Sequence, residues 1–253
     1  MREARGAPKS PKEWEIIEFE EVGSTNDLAE ELADERVGEF IVLAERQTSG
    51  RGRNRRGWYS PQGGLYFSLV LRPDFDPGAF PLLGLGMALA ITKALDQLGL
   101  EAQAQVKWPN DVLVNDKKIA GILSTSKNGY VVVGVGVNVN IYDFPEDLLL
   151  LATSLAIELR EMGLRDVLER ILENFRPYCR LDDPEVASGL IEEYRGRSSI
   201  IGKEVEVELT DETVRGIADI DGEGRLILVQ GKRRVIAAGE VSRVRCSKTK
   251  ETR

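Results

Sequence analysis

Twelve residues, Gln47-Thr48-Ser49-Gly50-Arg51-Gly52-Arg53-Asn54-Arg55-Arg56-Gly57-Trp58, hold four arginines and three glycines in a chain whose formal net charge is −8. Arginine offers planar, permanently charged forks that match phosphate and carboxylate oxygens. Glycine lets the backbone approach closely and add its own N–H groups to such a cradle. The stretch suits a loop that folds over a polyanion, and a solvated basic loop is the plain alternative. A second set is Lys107-Trp108-Pro109-Asn110-Asp111 followed by Lys118. Asn115-Asp116 lies between two apolar runs and predicts a two-residue hairpin turn. In that register Leu113 faces Lys118 and Asp111 faces Ala120, so Asp111, Leu113, Lys118 and Ala120 share one face. A carboxylate and an ammonium then meet on one surface. The chain has no histidine, so any chemistry runs on lysine, carboxylates, arginine and backbone dipoles.

These groups need rigid neighbours. The arginine loop sits between two predicted strands, Glu39–Glu45 and Gly64–Leu71. Ahead of it, Trp14–Phe19 alternates as a first strand, and Gly23-Ser24-Thr25-Asn26-Asp27 leads into Leu28, Ala29, Leu32 and Ala33 at helical spacing. The hydroxyls there read as an N-cap or as contacts to a small polar ligand, and both can hold at once. Phe80–Leu98 predicts an apolar helix stopped by Gly99. Tyr130–Val139 predicts a strand ending in Asn138 and Asn140, whose amides suit turn chemistry or a ligand edge. Helices are predicted over Leu148–Met162, Val167–Cys179 and Pro184–Tyr194. After Gly196-Arg197-Ser198-Ser199, read as a linker, the periodicity changes to two, over residues 203–209, 214–220, 225–230 and 233–238. Four or five short antiparallel strands there predict a small barrel.

At 253 residues and 28.1 kDa, one large domain with a small companion is expected. The acidic balance argues against general nucleic-acid binding. Two distant cysteines, Cys179 and Cys246, suit a reducing cytoplasm. The uncharged run Pro77–Thr92 falls short of the roughly 18–20 residues a bilayer requires, so no membrane partner is expected.

In order and spacing, Gly23-Ser24-Thr25-Asn26, Gln47 with Gly50-Arg51-Gly52-Arg53 ahead of Trp58, Lys107-Trp108-Pro109-Asn110-Asp111, Lys118-Ile119-Ala120-Gly121-Ile122-Leu123 and Gly134-x-Gly136-x-Asn138 closely resemble the biotin–protein ligases, or holocarboxylase synthetases. The resemblance implies an α+β fold: a mixed-sheet, class II synthetase-like catalytic domain (15–196) followed by an SH3-like barrel (197–248), with tails at 1–14 and 249–253. It implies formation of biotinoyl-5′-adenylate from biotin and Mg-ATP, then transfer to a lysine of a biotin carboxyl carrier domain.

By that likeness Ser24, Thr25 and Gln47 serve the biotin ureido head, Asn26 closes that first motif, and Asn26, Gly50, Arg51, Gly52 and Gly121 complete the biotin site. Arg51 and Arg53 reach the carboxylate and phosphate, with Arg53 and Lys118 the catalytic cations. Arg56, Trp58, Lys107, Asn110, Asp111 and Asn138 serve the nucleotide, and Asp111 is the candidate magnesium ligand. Departures fall at Arg55, at Ser124-Thr125 and at Val244, which stands between Arg243 and Arg245 where the family has an arginine. With the first strand starting near Trp14, no DNA-binding winged helix and no DNA partner are expected, and homodimerisation is left open. Lipoate ligases and octanoyltransferases share the catalytic fold, but the polar Ser24-Thr25-Gln47 set suits a ureido ring better than an apolar acyl chain. An RNA-gripping module is disfavoured by the acidic charge.

Overall fold

The computed structural model describes residues 14–209, 212–237 and 239–245. Of the tails expected at 1–14 and 249–253, residues 1–13 and 249–253 lie outside the described residues, as does Cys246. In chain order the first unit comprises β1 (Glu15–Val22), α1 (Thr25–Glu35), β2 (Phe40–Gln47), β3 (Leu65–Leu71), α2 (Phe80–Gln97), β4 (Gln105–Lys107), β5 (Asp111–Val114), β6 (Lys117–Lys127) and β7 (Tyr130–Val137), then α3 (Leu155–Glu158), α4 (Leu164–Phe175) and α5 (Pro184–Arg197). The second comprises β8 (Glu204–Glu208), β9 (Thr213–Ile220), β10 (Leu226–Gln230), β11 (Lys232–Ile236) and β12 (Glu240–Arg245).

The first seven strands form one mixed sheet in the order β1-β2-β3-β7-β6-β5-β4. Only β1 and β2 run parallel, and the other neighbours are antiparallel. The central strands β3 and β7 are buried at every position, which is why Leu65–Leu71 and Tyr130–Val137 are apolar runs without alternation. One face carries α1, through Ala29 and Ala33 against Phe40, Val42, Val70 and Val132. The other face carries α2, with α4 and α5 outside it. By length and composition Pro77–Gln97 could cross a membrane, but Leu83, Met87, Leu89 and Ile91 are fully buried in the protein core.

The second sheet is antiparallel, in the order β11-β10-β9-β8-β12, and forms the small SH3-like unit. Its inner residues Val205, Val207, Ala218 and Ile220 belong to the same apolar cluster as α2, and Trp108 Nε1 donates to Gly224 O across the junction at 3.1 Å.

Four expectations change. Trp14 belongs to the core, not to a tail, being 4 % exposed with its indole N–H on Glu39 at 3.1 Å. The helix expected over Leu148–Met162 shrinks to α3. Leu151 O and Thr153 N are drawn into bonds with the Lys118 backbone, and Leu155 N bonds to Asn138 O, so sheet pairing outcompetes helical propensity there. The linker at 196–199 is tied down: α5 runs through Arg197, Ser198 bridges Val106 in parallel and Ser199 N reaches Val106 O at 2.9 Å. The hairpin forms at Asn115-Asp116, both with positive φ, and Leu113 does face Lys118. A bulge then puts Val112 opposite Ala120 and Asp111 opposite Gly121. Ala120 therefore turns into the core, fully buried, instead of sharing the face of Lys118.

Candidate active site

The loops between β1 and α1 and between β2 and β3, the hairpins β4–β5 and β5–β6, and the start of β12 line one cavity that opens to solvent.

At one end, Ser24 caps α1 by accepting from Asp27 N at 3.4 Å. Ser24, Thr25 and Asn26 are 4 %, 3 % and 7 % exposed, so the N-cap and cavity-facing readings both hold. Gln47, at the end of β2, accepts from Thr25 N at 2.8 Å with Oε1. Its Nε2 donates to Ser60 Oγ at 2.9 Å, and Ser60 in turn donates to Trp58 O. Asn26 Nδ2 donates to Leu123 O at 3.1 Å. Each amide thus commits one of its two N–H groups to the protein, which fixes its orientation, and each oxygen already accepts a bond, Gln47 Oε1 from Thr25 N and Asn26 Oδ1 from Ser68. Ser68, buried in β3, lies 2.9 Å from both Thr25 Oγ1 and Asn26 Oδ1. Its signal in the sequence is a single hydroxyl within Leu65-Tyr66-Phe67-Ser68-Leu69-Val70-Leu71, which is otherwise apolar apart from a tyrosine hydroxyl; sequence reasoning passed over it, as it did Ser60.

In the middle, Lys118 Nζ lies 2.6 Å from Asp111 Oδ1 and 5.1 Å from the centre of the Trp58 ring. Lys107 is the cross-strand partner of Asp111 and lines the same cavity. Asn110 Nδ2 holds Ile122 O at 2.8 Å, fastening the β4–β5 turn to β6. The Trp58 indole lies on a floor of glycines. A Cβ at Gly136 would overlap it, and one at Gly121 would come within 2.9 Å. The indole N–H is buried over Gly136 without a hydrogen-bond partner. Gly134, on the same strand, makes room for Asn26, which a Cβ there would overlap.

Over the top, the arginine loop is a small hairpin, with Arg51 bridged to Gly57 and Gly52 N bonded to Arg56 O at 2.8 Å. Asn54 and Arg55 turn the corner at φ of 54° and 59°, so the Arg55 departure occupies a backbone conformation that costs a side-chain-bearing residue energy. Arg51 pairs with Asp27 at 2.7 Å. Burial raises the Asp27 carboxyl above its ordinary range, although Arg51 pulls it down. Arg53 is half-buried and donates to Gly239 O at 3.3 Å; burial lowers its guanidinium from its ordinary value, against the attraction of Asp111 and Glu240. Arg56 pairs with Glu240 at 2.6 Å. The C-terminal unit therefore closes one wall through Gly239, Glu240 and Val241, whereas Val244 is exposed.

Two expected contacts do not reach the cavity. Asn138 is 4 % exposed, with its amide on Thr153 O at 2.9 Å; it ties β7 to the segment that follows. Gly50 does not line the cavity either, being where the two limbs of the loop touch, with Trp58 O within 2.7 Å of its absent Cβ. Asn140 spends its amide on both backbone groups of Met162, the turn reading. The remaining expected residues, among them Gly52, Arg56, Lys107, Asn110 and Gly121, line this cavity.

Residues 18–141 match the Biotin/lipoate A/B protein ligase family, and residues 200–244 match the Biotin protein ligase C terminal domain. The chain is 36 % identical over 243 residues to a biotin–[acetyl-CoA-carboxylase] ligase of Mycobacterium tuberculosis, covering 89 % of this chain and 87 % of that one. It is 39 % identical over 150 residues to the bifunctional ligase/repressor BirA of Bacillus subtilis, covering 56 % of this chain and 46 % of BirA, so the match spans about half the length of that relative. A biotin protein ligase from Aquifex aeolicus, solved with biotin and ATP, superposes with a TM-score of 0.79 at 30 % identity, over 92 % of this chain and 99 % of that one. Sequence coverage, both matched regions and the superposition agree: the chain belongs to the biotin protein ligases.

Proposed function

We propose that this protein joins biotin to ATP as biotinoyl-5′-adenylate, releasing pyrophosphate, and passes the biotinoyl group to a lysine of a biotin carboxyl carrier domain in the cytoplasm. The observation that carries this is one continuous cavity, lined at one end by the polar Ser24, Thr25, Asn26 and Gln47 and beside them by Lys118, Arg51 and Arg53. A ureido ring, with two N–H donors and a carbonyl acceptor, matches hydroxyls and amides of this kind. A dithiolane or plain acyl chain offers no such groups, and polar groups buried without a partner cost about 1–3 kcal/mol each.

Joining a carboxylate to a polyphosphate is opposed by charge. Two unit charges at 4 Å repel by roughly 1 kcal/mol in water and about 4 kcal/mol at an effective dielectric of 20. Lys118, Arg51 and Arg53 are cations fixed before substrate arrives, which is electrostatic preorganisation. The ionised carboxylate attacks the α-phosphorus without a base, and pyrophosphate leaves. The acceptor lysine, as its neutral amine, then attacks the acyl carbon, AMP leaves with the acyl–oxygen bond's electron pair, and the proton shed by the new amide nitrogen goes to solvent. Between the steps the arginine hairpin and Trp58 keep water from the mixed anhydride. Among the described residues no three acidic, histidine or cysteine side chains cluster as a metal cage. Asp111, whose carboxylate pairs with Lys118 at 2.6 Å, would be the carboxylate available to magnesium carried in on ATP, an ion that takes one or two carboxylates beside phosphate oxygens; sharing it with Lys118, the ion would offset phosphate charge.

The test is incubation with biotin, Mg-ATP and a purified carrier domain, followed by the mass of the carrier. One biotinoyl addition that needs ATP and the carrier's lysine is expected. An unmodified carrier, or preferential transfer of lipoate, refutes the proposal.

A further inference from the structure

Ser68 is fully buried and does not border the cavity, yet it touches two residues that do. It is paired across the sheet with Gly134, whose missing side chain leaves the space Asn26 fills. A count of hydrogens shows what Ser68 does there. The chain of contacts runs from Gln47 Oε1 to Thr25 Oγ1 at 3.2 Å, from Thr25 to Ser68 at 2.9 Å, and from Ser68 to Asn26 Oδ1 at 2.9 Å. Three contacts share two hydroxyl hydrogens. Both ends are amide oxygens, which only accept. Asn26 cannot turn its NH₂ inward, because that group is held by Leu123 O. The arrangement that gives Asn26 Oδ1 a donor sends the Ser68 hydrogen there, and the Thr25 hydrogen, which also reaches Gln47 Oε1 at 3.2 Å, then lies along the shorter 2.9 Å contact to the Ser68 oxygen. Gln47 Oε1, already bonded to Thr25 N, keeps its second lone pair free. Thr25 then meets the cavity as a bare oxygen.

We propose that Ser68 is a positioning residue for ligand specificity, which draws the Thr25 hydrogen away from Gln47 and so leaves the Thr25 and Gln47 oxygens free to accept from a ligand. It selects a ligand whose buried end carries N–H groups. This rests on the biotin-ligase reading and names the residue behind its selectivity. Without the Ser68 hydroxyl, the Thr25 hydrogen is released to Gln47 Oε1 or into the cavity, where it competes with or opposes a ureido N–H, and Asn26 Oδ1 loses its anchor.

Biotin-dependent pyrophosphate exchange with Ser68→Ala, Ser68→Cys and Ser68→Thr tests this, with biotin and with biotin methylated on one ureido nitrogen. Cysteine keeps the volume with a weak donor, and threonine keeps the hydroxyl. In the Ala and Cys variants the KM for biotin is expected to rise about tenfold, the worth of one hydrogen bond. The KM for ATP and kcat stay within about twofold, preference for biotin over its methylated analogue narrows, and Thr restores the wild-type pattern. An unchanged biotin KM in Ala and Cys overturns the proposal. So does a parallel loss in biotin KM, ATP KM and kcat, with Thr as impaired as Ala, since that marks a packing role. Should the Ala variant fail to fold, the Cys–Thr comparison decides alone. A wild-type protein that exchanges no pyrophosphate with biotin refutes the ligase reading itself, a separate outcome.

Discussion

Replacing Lys118 by alanine separates chemistry from folding more cleanly than other changes in the cavity. The Lys118–Asp111 pair is short, 2.6 Å, but its side chains are 31 % and 24 % exposed. Pairs open to solvent to that degree contribute about 0–1 kcal/mol. For a chain this long that is worth a Tm change of roughly 2–4 °C or less. The catalytic loss has two parts. Removing one preorganised donor to a developing charge costs about 10²–10³ in rate, or about 2.7–4 kcal/mol. The freed Asp111 carboxylate then faces the phosphate that Lys118 had shielded, a repulsion of about 1 kcal/mol in water and about 4 kcal/mol at a dielectric of 20; its partial exposure puts the added loss near the lower figure. Lys118→Ala should slow biotin-dependent exchange of labelled pyrophosphate into ATP by at least about a hundredfold while the melting curve barely moves. Exchange within threefold of wild type would remove Lys118 from the mechanism. A Tm drop of more than about 10 °C would show that the pair holds the hairpin together, and the charge argument would fail with it.

Three further outcomes follow from the geometry. Gly136→Ala should displace the Trp58 indole at an overpacking cost of about 1–3 kcal/mol, changing tryptophan emission and weakening ATP use; unaltered emission would mean the glycine floor does not seat the ring. Asn138→Ala should lower unfolding free energy by about 1–3 kcal/mol, because it leaves the Thr153 carbonyl without its Asn138 donor, while the KM for ATP of the folded enzyme stays near wild type; a selective rise in that KM would return Asn138 to the nucleotide site. Burial pushes the Cys179 thiol up to about 12, so roughly 10⁻⁴ of it is thiolate at pH 8. Peptide mass spectrometry should find Cys179 unalkylated in the native protein at pH 8 and alkylated in urea, with reactivity rising toward alkaline pH.

How far the sequence reveals this site depends on which residues act through local rules. The Asn115-Asp116 turn and the capped start of α1 obey short-range chemistry, and both form where the spacing predicts them. The bulge between β5 and β6 does not follow from any turn residue. It arises where Lys118 pairs by its backbone with Leu151 and Thr153 on one side while β5 continues on the other, a competition between segments far apart in the chain. The same competition unwinds the helix expected from Leu148 and takes up the amide of Asn138 in a backbone role. Asp111 and Lys118 still meet, because a one-residue bulge re-aims Ala120 and leaves the two charged side chains on the open face.

The glycines Gly121, Gly134 and Gly136 connect these observations. They lie on β6 and β7, where Gly121 is the cross-strand partner of Gly136 and Gly134 that of Ser68 in β3. A strand interior rich in glycine gives up packing and chain entropy, and here the vacated space is filled by side chains from elsewhere: Asn26 from α1 over Gly134, and Trp58 from the arginine loop over Gly136 and Gly121. Both visitors come from segments that form the proposed ligand contacts. The sheet therefore acts as the template on which the polar end and the cationic lid are registered to each other. Because Gly134 and Gly136 share one face of one strand, a shift of β7 by one residue would unseat the two together. The site's geometry is thus set by strand register in the core, which is why motifs scattered along most of the chain converge on a single cavity.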